Sequence, residues 1–238
     1  DAIAAELEQH VDLPALLHLA VDVPCHEPTE KQKDVPARCR IAVAMDQAFS
    51  FYYQDNLDEL VAAGAELRYF SPLNDRVFPE ADGLYLGGGY PELHLSRLSQ
   101  NETMRESIRR AIENGMPTVA ECGGFLYLQS ALKDENGTLW PMVGALGGTG
   151  YGTDRLQRFG YLTLTGARDS LLLRAGEAVP AHEFHYWDSD APGSDFRADK
   201  PQSSRGWDCA FHTPTLYAGF PHFHFWAAPA AARNFVAG

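Results

Sequence analysis

Short apolar runs alternate with amphipathic stretches along most of the chain. A run of four or five largely apolar residues is typical of a buried strand, whereas apolar side chains three and four positions apart indicate a helix face. The pattern predicts strands at residues 41–45, 67–70, 83–86 and 117–120. It predicts one helix with a cap at Asp55 and a stop at Gly64, and further helices at residues 101–113, 125–132 and 229–236. This alternation indicates an α/β fold, a mostly parallel sheet with helices on both faces.

Both ends of the chain depart from this alternation. Residues 1–20 carry apolar side chains at helical spacing, which predicts a helical stub. The next stretch, as far as Arg40, contains three prolines and several charges, a composition typical of a linker. Residues 142–225 contain short apolar runs and turn residues, so we expect more strands than helices there.

Composition narrows the classes of partner. The 238 residues include 32 acidic and 19 basic side chains, a formal net charge of −13, which argues against nucleic acid or an anionic membrane as the main partner. No run approaches the ~18–20 apolar residues of a membrane span, and the acidic N-terminus lacks the basic flank of a secretory signal. The four cysteines show no C-x-x-C spacing and are expected to be reduced thiols. We therefore expect a cytoplasmic protein.

The segment around Cys122 carries the clearest chemical signal. A buried strand runs directly into this cysteine, and two glycines and an apolar helix follow it. This is the layout of a nucleophile elbow, which holds a reactive side chain on a sharp strand-to-helix turn. Glycines permit the turn, and a helix N-terminus favours the thiolate form of the cysteine. The alternative is an inert buried cysteine, but such a residue needs no glycine pair beside it.

Acyl chemistry at this cysteine requires N–H donors for the developing oxyanion. The N–H of Gly123 is one candidate, and the glycine loop at residues 86–92 offers Gly88 and Gly89. Such loops gather at the carboxyl ends of parallel strands. A phosphate-binding loop and a plain glycine turn are alternatives, although the chain contains no Gly-Lys pair and therefore no Walker A motif.

The base for the cysteine is expected among the histidines. His222 and His224 are two positions apart, so in a strand they share one face, and they come late in the chain. His182 and His185 form a second cluster around Glu183. These histidines have two other interpretations, as core residues or, together with Glu183, as zinc ligands. The pair at 222 and 224 is the better candidate for the base.

Five segments resemble, in order, the cobyrinate or hydrogenobyrinate a,c-diamide synthase family: Asp46-x-Ala-Phe-x-Phe-Tyr-Tyr53, Leu86-Gly-Gly-Gly-Tyr-Pro-Glu92, Ala120-Glu-Cys-Gly-Gly124, Thr153-Asp-Arg-Leu-Gln157 with Gly160-Tyr161, and His182-Glu-Phe-His-Tyr186. The resemblance runs from about residue 40 to the C-terminus. It implies the C-terminal glutamine amidotransferase domain of that family, with a class I glutamine amidotransferase-like (flavodoxin-like) α/β fold.

The resemblance also implies a domain arrangement and partners. In that family the amidotransferase domain follows an ATP-binding domain built around a P-loop. We therefore expect a remnant of that domain at residues 1–22, a linker at 23–39 and the glutamine amidotransferase domain at 40–238. The implied partners are glutamine and a corrin precursor, cobyrinate or hydrogenobyrinate, and a homodimer is compatible with the resemblance. ATP and Mg²⁺ are expected in the full-length enzyme, and no cofactor or metal in this chain.

Carried over position by position, the family's nucleophile falls on Cys122 and its histidine on His222, with oxyanion donors at Gly88, Gly89 and Gly123. Tyr90 and Glu92 are further candidates for substrate binding. Many class I amidotransferases carry a glutamate two residues after the histidine, where this chain has His224. The orienting group is therefore left open between His224, Glu183, a backbone carbonyl and a dyad without any third member.

The function implied is glutamine hydrolysis through a cysteine thioester. The ammonia released would amidate the a and c side-chain carboxylates of the corrin precursor in cobalamin biosynthesis. One alternative is a non-catalytic module of the same fold that docks a partner or binds a corrinoid. Another is a cysteine peptidase or a different elbow hydrolase. The presence of Cys122, His222 and both glycine segments favours the amidotransferase.

Overall fold

The computed structural model describes residues 2–21 and 37–238. These segments contain seven α-helices, numbered α1 to α7: Ala2–His10, Leu13–Val21, Gln54–Ala63, Leu95–Gln100, Glu102–Glu113, Gly123–Leu128 and Pro229–Ala237. They contain seventeen strands, numbered β1 to β17: Cys39–Ala44, Phe49–Phe51, Ala65–Phe70, Gly83–Leu86, Gly88–Gly89, Thr118–Glu121, Ala131–Lys133, Leu139–Pro141, Thr149–Gly152, Arg158–Gly166, Ala178–His185, Trp187–Ser189, Phe196–Asp199, Gly206–Cys209, Phe211–Thr213, Leu216–Gly219 and His222–Phe223. Short 3₁₀ helices lie at Pro91–His94 and Phe225–Ala227.

The N-terminal helices α1 and α2 belong to a separate compact unit. The sequence pattern predicts one helical stub here, but the structure has two helices. The break occurs because Asp12 caps α2 by accepting the N–H of Ala15 at 3.0 Å, and Pro14 lies in its first turn. The predicted linker at residues 23–39 lies almost entirely outside the described residues. No helix of the described segments is long and apolar enough to cross a membrane.

The larger unit is built on a six-stranded sheet in the order β15-β16-β6-β4-β1-β3. All neighbours pair in parallel except β15, which runs antiparallel to β16 at one edge. The four strands predicted from apolar runs are β1, β3, β4 and β6, and they are adjacent in this sheet. The prediction of a mostly parallel sheet is therefore confirmed.

Alternation along β1 explains why the sheet is covered on both faces. Ile41 and Val43 belong to one buried apolar cluster, whereas Ala42 and Ala44 belong to another. Side chains of α3 and α7 contribute to the first cluster, and those of α5 and α6 to the second. Helices thus lie on both faces, as the pattern predicts.

The C-terminal half adds a five-stranded antiparallel sheet in the order β14-β13-β10-β11-β17. Its buried residues, such as Leu162, Leu164 and Phe196, share the cluster that covers the first face of the parallel sheet. Strand β17 pairs with β11 so that His222 lies opposite His182. This pairing brings two distant histidine segments together.

Two further local predictions are wrong. The helix predicted at residues 125–132 ends at Leu128, because Gln129 is extended and buried with its side-chain amide on Ser189, and residues 131–133 form β7. Asp55 does not cap α3; Tyr53 is the N-cap residue without a side-chain cap, and Asp55 lies in the first turn. The predicted stop at Gly64 is confirmed by its left-handed φ of 106°.

Candidate active site

The strand-to-helix turn predicted at Cys122 is present. β6 ends at Glu121 and α6 begins at Gly123, which leaves Cys122 at the turn with φ 49° and ψ −102°. Among the described non-glycine residues only Cys122 and Ala210 have a positive φ. Backbone strain of this kind costs about 1–3 kcal/mol and is concentrated at functional sites. Cys122 therefore has the backbone geometry of an elbow nucleophile.

The two glycines after Cys122 allow α6 to pack against the glycine loop. A Cβ at Gly124 would lie 2.1 Å from the carbonyl oxygen of Leu86, and one at Gly123 would lie 2.9 Å from Cδ of Pro91. The N–H of Gly124 donates to the carbonyl of Gly87 at 2.9 Å. The elbow and the glycine loop thus meet at the carboxyl end of the parallel sheet.

His222 is the histidine beside the cysteine. Its ring is almost fully buried, lines the same pocket as Cys122 and interacts electrostatically with the Cys122 side chain. The Phe51 ring packs edge-on against it, with centroids 4.9 Å apart. A Cβ at Gly88 would lie 2.6 Å from Cε1 of the imidazole, so the glycine loop also touches the ring. Two segments a hundred residues apart in sequence thus form one cysteine–histidine pair.

The surroundings of His222 favour its protonated form. Burial alone lowers the pKa of the ring, but electrostatic interactions with the Cys122 and Glu121 side chains raise the pKa of His222 to about 10. A protonated imidazole can give its proton to a leaving group, so His222 has the properties of a general acid.

The pair opens into a pocket of about 270 Å³. This volume lies just below the range of about 300–1,000 Å³ typical of small-molecule sites, so the ligand is small. The lining is rich in aromatic rings and histidines, which come from several segments of the chain: Phe51, Gly89, Tyr90, Glu92, Cys122, Leu126, His182, Phe184, His185, Tyr186, Trp187 and His222.

Of the three predicted oxyanion glycines, Gly89 lines this pocket, and Gly88 and Gly123 lie next to it. A Cβ on Gly88 would lie 2.6 Å from Cε1 of His222, and a Cβ on Gly123 would lie 3.0 Å from the nitrogen of Gly89. Gly123 is the first residue of α6, so its N–H has no acceptor within that helix. Their backbone N–H groups are thus candidates for binding a developing oxyanion.

Tyr90 and Glu92 also line the pocket. Tyr90 is about half exposed, whereas Glu92 is partly buried at the start of the 3₁₀ helix. Burial raises the pKa of Glu92 to about 7. This carboxyl group is therefore poised between its two protonation states at neutral pH, which suits it to pair with a cationic group of a ligand.

Both groups proposed from the sequence to orient the histidine pair with other side chains. Glu183 points to the opposite side of β11 from His182, and its Oε1 lies 2.7 Å from Nε2 of His185. The Nε2 of His224 lies 3.6 Å from a carboxylate oxygen of Asp55. Both side chains thus have partners other than His222, and an orienting role for either of them stays a prediction.

The carboxylate near His222 belongs to Glu121, which sequence reasoning missed. Its Oε2 lies 3.6 Å from Nδ1 of His222, and the side chain is buried. The only signal in the sequence is a glutamate at the end of a strongly apolar strand, directly before Cys122. A charged residue is rarely buried without a partner, so a glutamate in such an apolar run indicates that a partner lies beside the strand.

The histidines and Glu183 do not converge on one point, as zinc ligands would. Glu183 and His185 pair with each other, whereas His182 faces His222 across β11 and β17. In the part of the chain that the structure describes, no three His, Cys, Asp or Glu side chains are arranged to hold a metal ion.

Comparison with known proteins identifies close relatives by sequence. Residues 40–230 match the CobB/CobQ-like glutamine amidotransferase domain family. A protein named cobyrinate a,c-diamide synthase from Caldanaerobacter subterraneus subsp. tengcongensis is 36% identical over 233 residues, which are 97% of this chain and 52% of that protein. Its namesake from Picrophilus torridus is 38% identical over 239 residues, 99% of this chain and 52% of the relative. The chain thus spans about half the length of these curated relatives.

Solved structures share the fold at low sequence identity. PurLQS from Thermotoga maritima superposes with a TM-score of 0.57 at 16% identity, covering 82% of this chain and 95% of that chain. A glutamine amidotransferase structure gives a TM-score of 0.55 at 14% identity and covers 83% of this chain and 97% of its own. At these identities the likeness concerns the fold alone, and it confirms the predicted class I glutamine amidotransferase fold.

Proposed function

Because the chain belongs to the CobB/CobQ-like glutamine amidotransferase domain family, we propose that it hydrolyses glutamine with Cys122 as nucleophile and His222 as general acid and base. The observation that carries this proposal is a buried histidine ring that shares a pocket with a cysteine on a strained elbow and interacts with its side chain. A cysteine–histidine pair of this kind is typical of nucleophilic catalysis, whereas a domain that only docks a partner does not require one. A non-catalytic module is therefore not favoured.

The proposed reaction has two steps. The thiolate of Cys122 attacks the side-chain carboxamide carbon of glutamine, and N–H groups of Gly123 and of Gly88 or Gly89 bind the resulting oxyanion. The carbon–nitrogen bond then breaks, and His222 gives its proton to the departing ammonia, a contribution of roughly 10²–10⁴-fold. Water attacks the glutamyl thioester while His222 accepts a proton. Glutamate leaves and the thiolate–imidazolium pair is restored.

We assign Glu92 to the α-ammonium group of glutamine. Its carboxylate lines the pocket, and pairing with a cation would offset the penalty of its partial burial. Tyr90, from the same segment, is assigned to the pocket rim. These two residues would bind the α-amino-acid end of glutamine while its side-chain amide lies next to the Cys122 sulfur.

Glu92→Gln is expected to raise KM for glutamine by about tenfold, because one charge-assisted hydrogen bond is worth about 1.5–3 kcal/mol. The pH dependence follows from a pKa of about 7: binding is strong above that pH, where the carboxylate is ionised, and weakens as pH falls through it. Measuring KM against pH checks both points. A variant whose KM keeps the wild-type pH dependence would remove Glu92 from the substrate site.

The whole enzyme is proposed to carry out the reaction named for the relatives. The ammonia would amidate the a and c side-chain carboxylates of cobyrinate or hydrogenobyrinate in cobalamin biosynthesis, a cytoplasmic pathway. ATP and Mg²⁺ would activate those carboxylates in a domain that precedes this one, with residues 1–22 as its end and 23–39 as the linker.

An affinity label tests the proposal without requiring turnover. The full-length enzyme is treated with a glutamine-derived, thiol-reactive analogue and mapped by peptide mass. We expect modification at Cys122 alone, with protection by free glutamine. Equal modification of Cys25, Cys39 and Cys209, or no modification, would contradict the proposed substrate.

A further inference from the structure

Glu121 is a charged side chain with only 2% of its surface exposed, directly before the nucleophile. Its two carboxylate oxygens have separate partners. Oε1 accepts the backbone N–H of Phe223 at 2.9 Å, and Oε2 accepts the hydroxyl of Tyr85 at 3.0 Å. Oε2 also lies 3.6 Å from Nδ1 of His222. A carboxylate this deeply buried is tolerated only where donors and positive charge compensate for lost hydration.

The segment that carries the imidazole of His222 is anchored to the same group of buried polar side chains. Asn56 donates to the carbonyl of Phe223 at 2.9 Å and to the hydroxyl of Tyr85 at 3.5 Å. Its side-chain oxygen accepts the N–H of Phe225 at 2.7 Å. Both Asn56 and Tyr85 are fully buried. These hydrogen bonds therefore hold the backbone of residues 223–225, which follows His222, in place relative to the Glu121 carboxylate.

In the part of the chain that the structure describes, Glu121 is the carboxylate that pairs with the His222 ring. The Cys122 thiol and the His182 imidazole also interact with this ring, and the Phe51 ring packs edge-on against it. The other titratable groups that line the two pockets beside the ring are Tyr90, Glu92, His185, Tyr186, Tyr53, Tyr161 and His224. Within the described residues the buried Nδ1 of His222 has no hydrogen-bond partner. A distance of 3.6 Å is slightly longer than a hydrogen bond, and catalytic hydrogen bonds often shorten only when substrate binds.

We propose that Glu121 is the positioning residue of this pair: its carboxylate orients the His222 ring and holds the proton on it. Consecutive residues at the end of β6 then supply both the orienting carboxylate and the nucleophile. The inference rests on the proposed function and adds the third member that the sequence left open. It also explains why this chain does not need a glutamate at position 224, where it has a histidine, since the orienting charge comes from another strand.

The arrangement of sulfur, imidazole and carboxylate has a measurable consequence. A negative charge next to the imidazole favours the thiolate–imidazolium form of the pair over the thiol–imidazole form. Without that charge the proton returns to sulfur at neutral pH, whereas at strongly alkaline pH the sulfur is a thiolate in either case. The ratio of Cys122 reactivity at neutral pH to that at alkaline pH therefore reports the effect of the carboxylate.

The test compares the full-length enzyme with its Glu121→Gln variant, in which the side chain keeps its shape and loses its charge. Chloroacetamide alkylation of Cys122 is followed by peptide mass at both pH values. We expect the neutral-to-alkaline rate ratio to fall by about tenfold or more, as for the loss of one close charge partner. In glutamine hydrolysis, kcat is expected to fall at least about tenfold with little change in KM.

Glu183→Gln is the matched control, because it removes the charge of another buried carboxylate that contacts a different histidine. It is expected to leave the alkylation ratio unchanged. If Glu121→Gln does not fold, Glu121→Asp retracts the charge by one methylene and should lower the ratio to a smaller extent. A wild-type ratio in either folded variant of Glu121 overturns the proposal. Alkylation needs no glutamine, so this outcome is separate from a failure of the proposed glutaminase activity.

Discussion

Replacing Cys122 with alanine is expected to abolish glutamine hydrolysis, with a loss of at least about 10⁴-fold in kcat. The reason is that Cys122 is the cysteine that lines the pocket, and without its sulfur the proposed glutamyl thioester cannot form. Glutamate release by the full-length enzyme measures this loss. The same variant is expected to accept free ammonia in place of glutamine, because amidation is assigned to the preceding domain.

Cys39→Ala is the control for a general effect of removing a thiol. Cys39 begins β1, and burial together with the charge of Asp82 raises its pKa, so it is held as an unreactive thiol. This variant is expected to hydrolyse glutamine at the wild-type rate. Glutamine-dependent activity that survives in Cys122→Ala, or that disappears in the Cys39 variant, would contradict the assignment of the nucleophile.

Gly124→Ala is expected to destabilise the fold by about 3 kcal/mol or more. A Cβ at this position would lie 2.1 Å from the carbonyl oxygen and 2.6 Å from the carbonyl carbon of Leu86, and backbone atoms cannot rotate away. The better helix propensity of alanine recovers only about 1 kcal/mol, so the clash dominates. For a unit of this size the melting temperature should fall by roughly 6–12 °C, which thermal unfolding measures.

Gly147→Ala provides the comparison for that result. A Cβ at Gly147 meets no atom within 4 Å, so this substitution is expected to change the free energy of unfolding by about 0.5 kcal/mol or less. A melting temperature of Gly124→Ala equal to that of Gly147→Ala would mean that α6 can shift away from the glycine loop. The elbow geometry described above would then be wrong.

The sequence by itself determined the central layer of the fold. Short-range patterns predict the strands β1, β3, β4 and β6, the helix α5 and the stop at Gly64. The spacing of apolar residues indicates which face of a strand or helix is buried. The antiparallel sheet and the strand β7 were not predicted in detail. Their short strands pair with distant segments, and the residues of β7 also fit a helical pattern.

The same division applies to the site. Cys122 and its glycines could be predicted because an elbow is a local feature, in which each residue is needed by its immediate neighbours. His222 could be chosen from its position near the end of the chain and from the family resemblance.

Only the tertiary structure decided which carboxylate meets which histidine. Glu183 was a reasonable candidate from the sequence, yet a strand turns neighbouring side chains to opposite faces, and the pairing of β11 with β17 directs His182, not Glu183, towards His222. Glu121 reaches the imidazole because β6 ends beside β17, across a hundred residues of chain. Contacts of this kind depend on strand order and register, which are set by the packing of the whole domain and not by any short stretch of sequence.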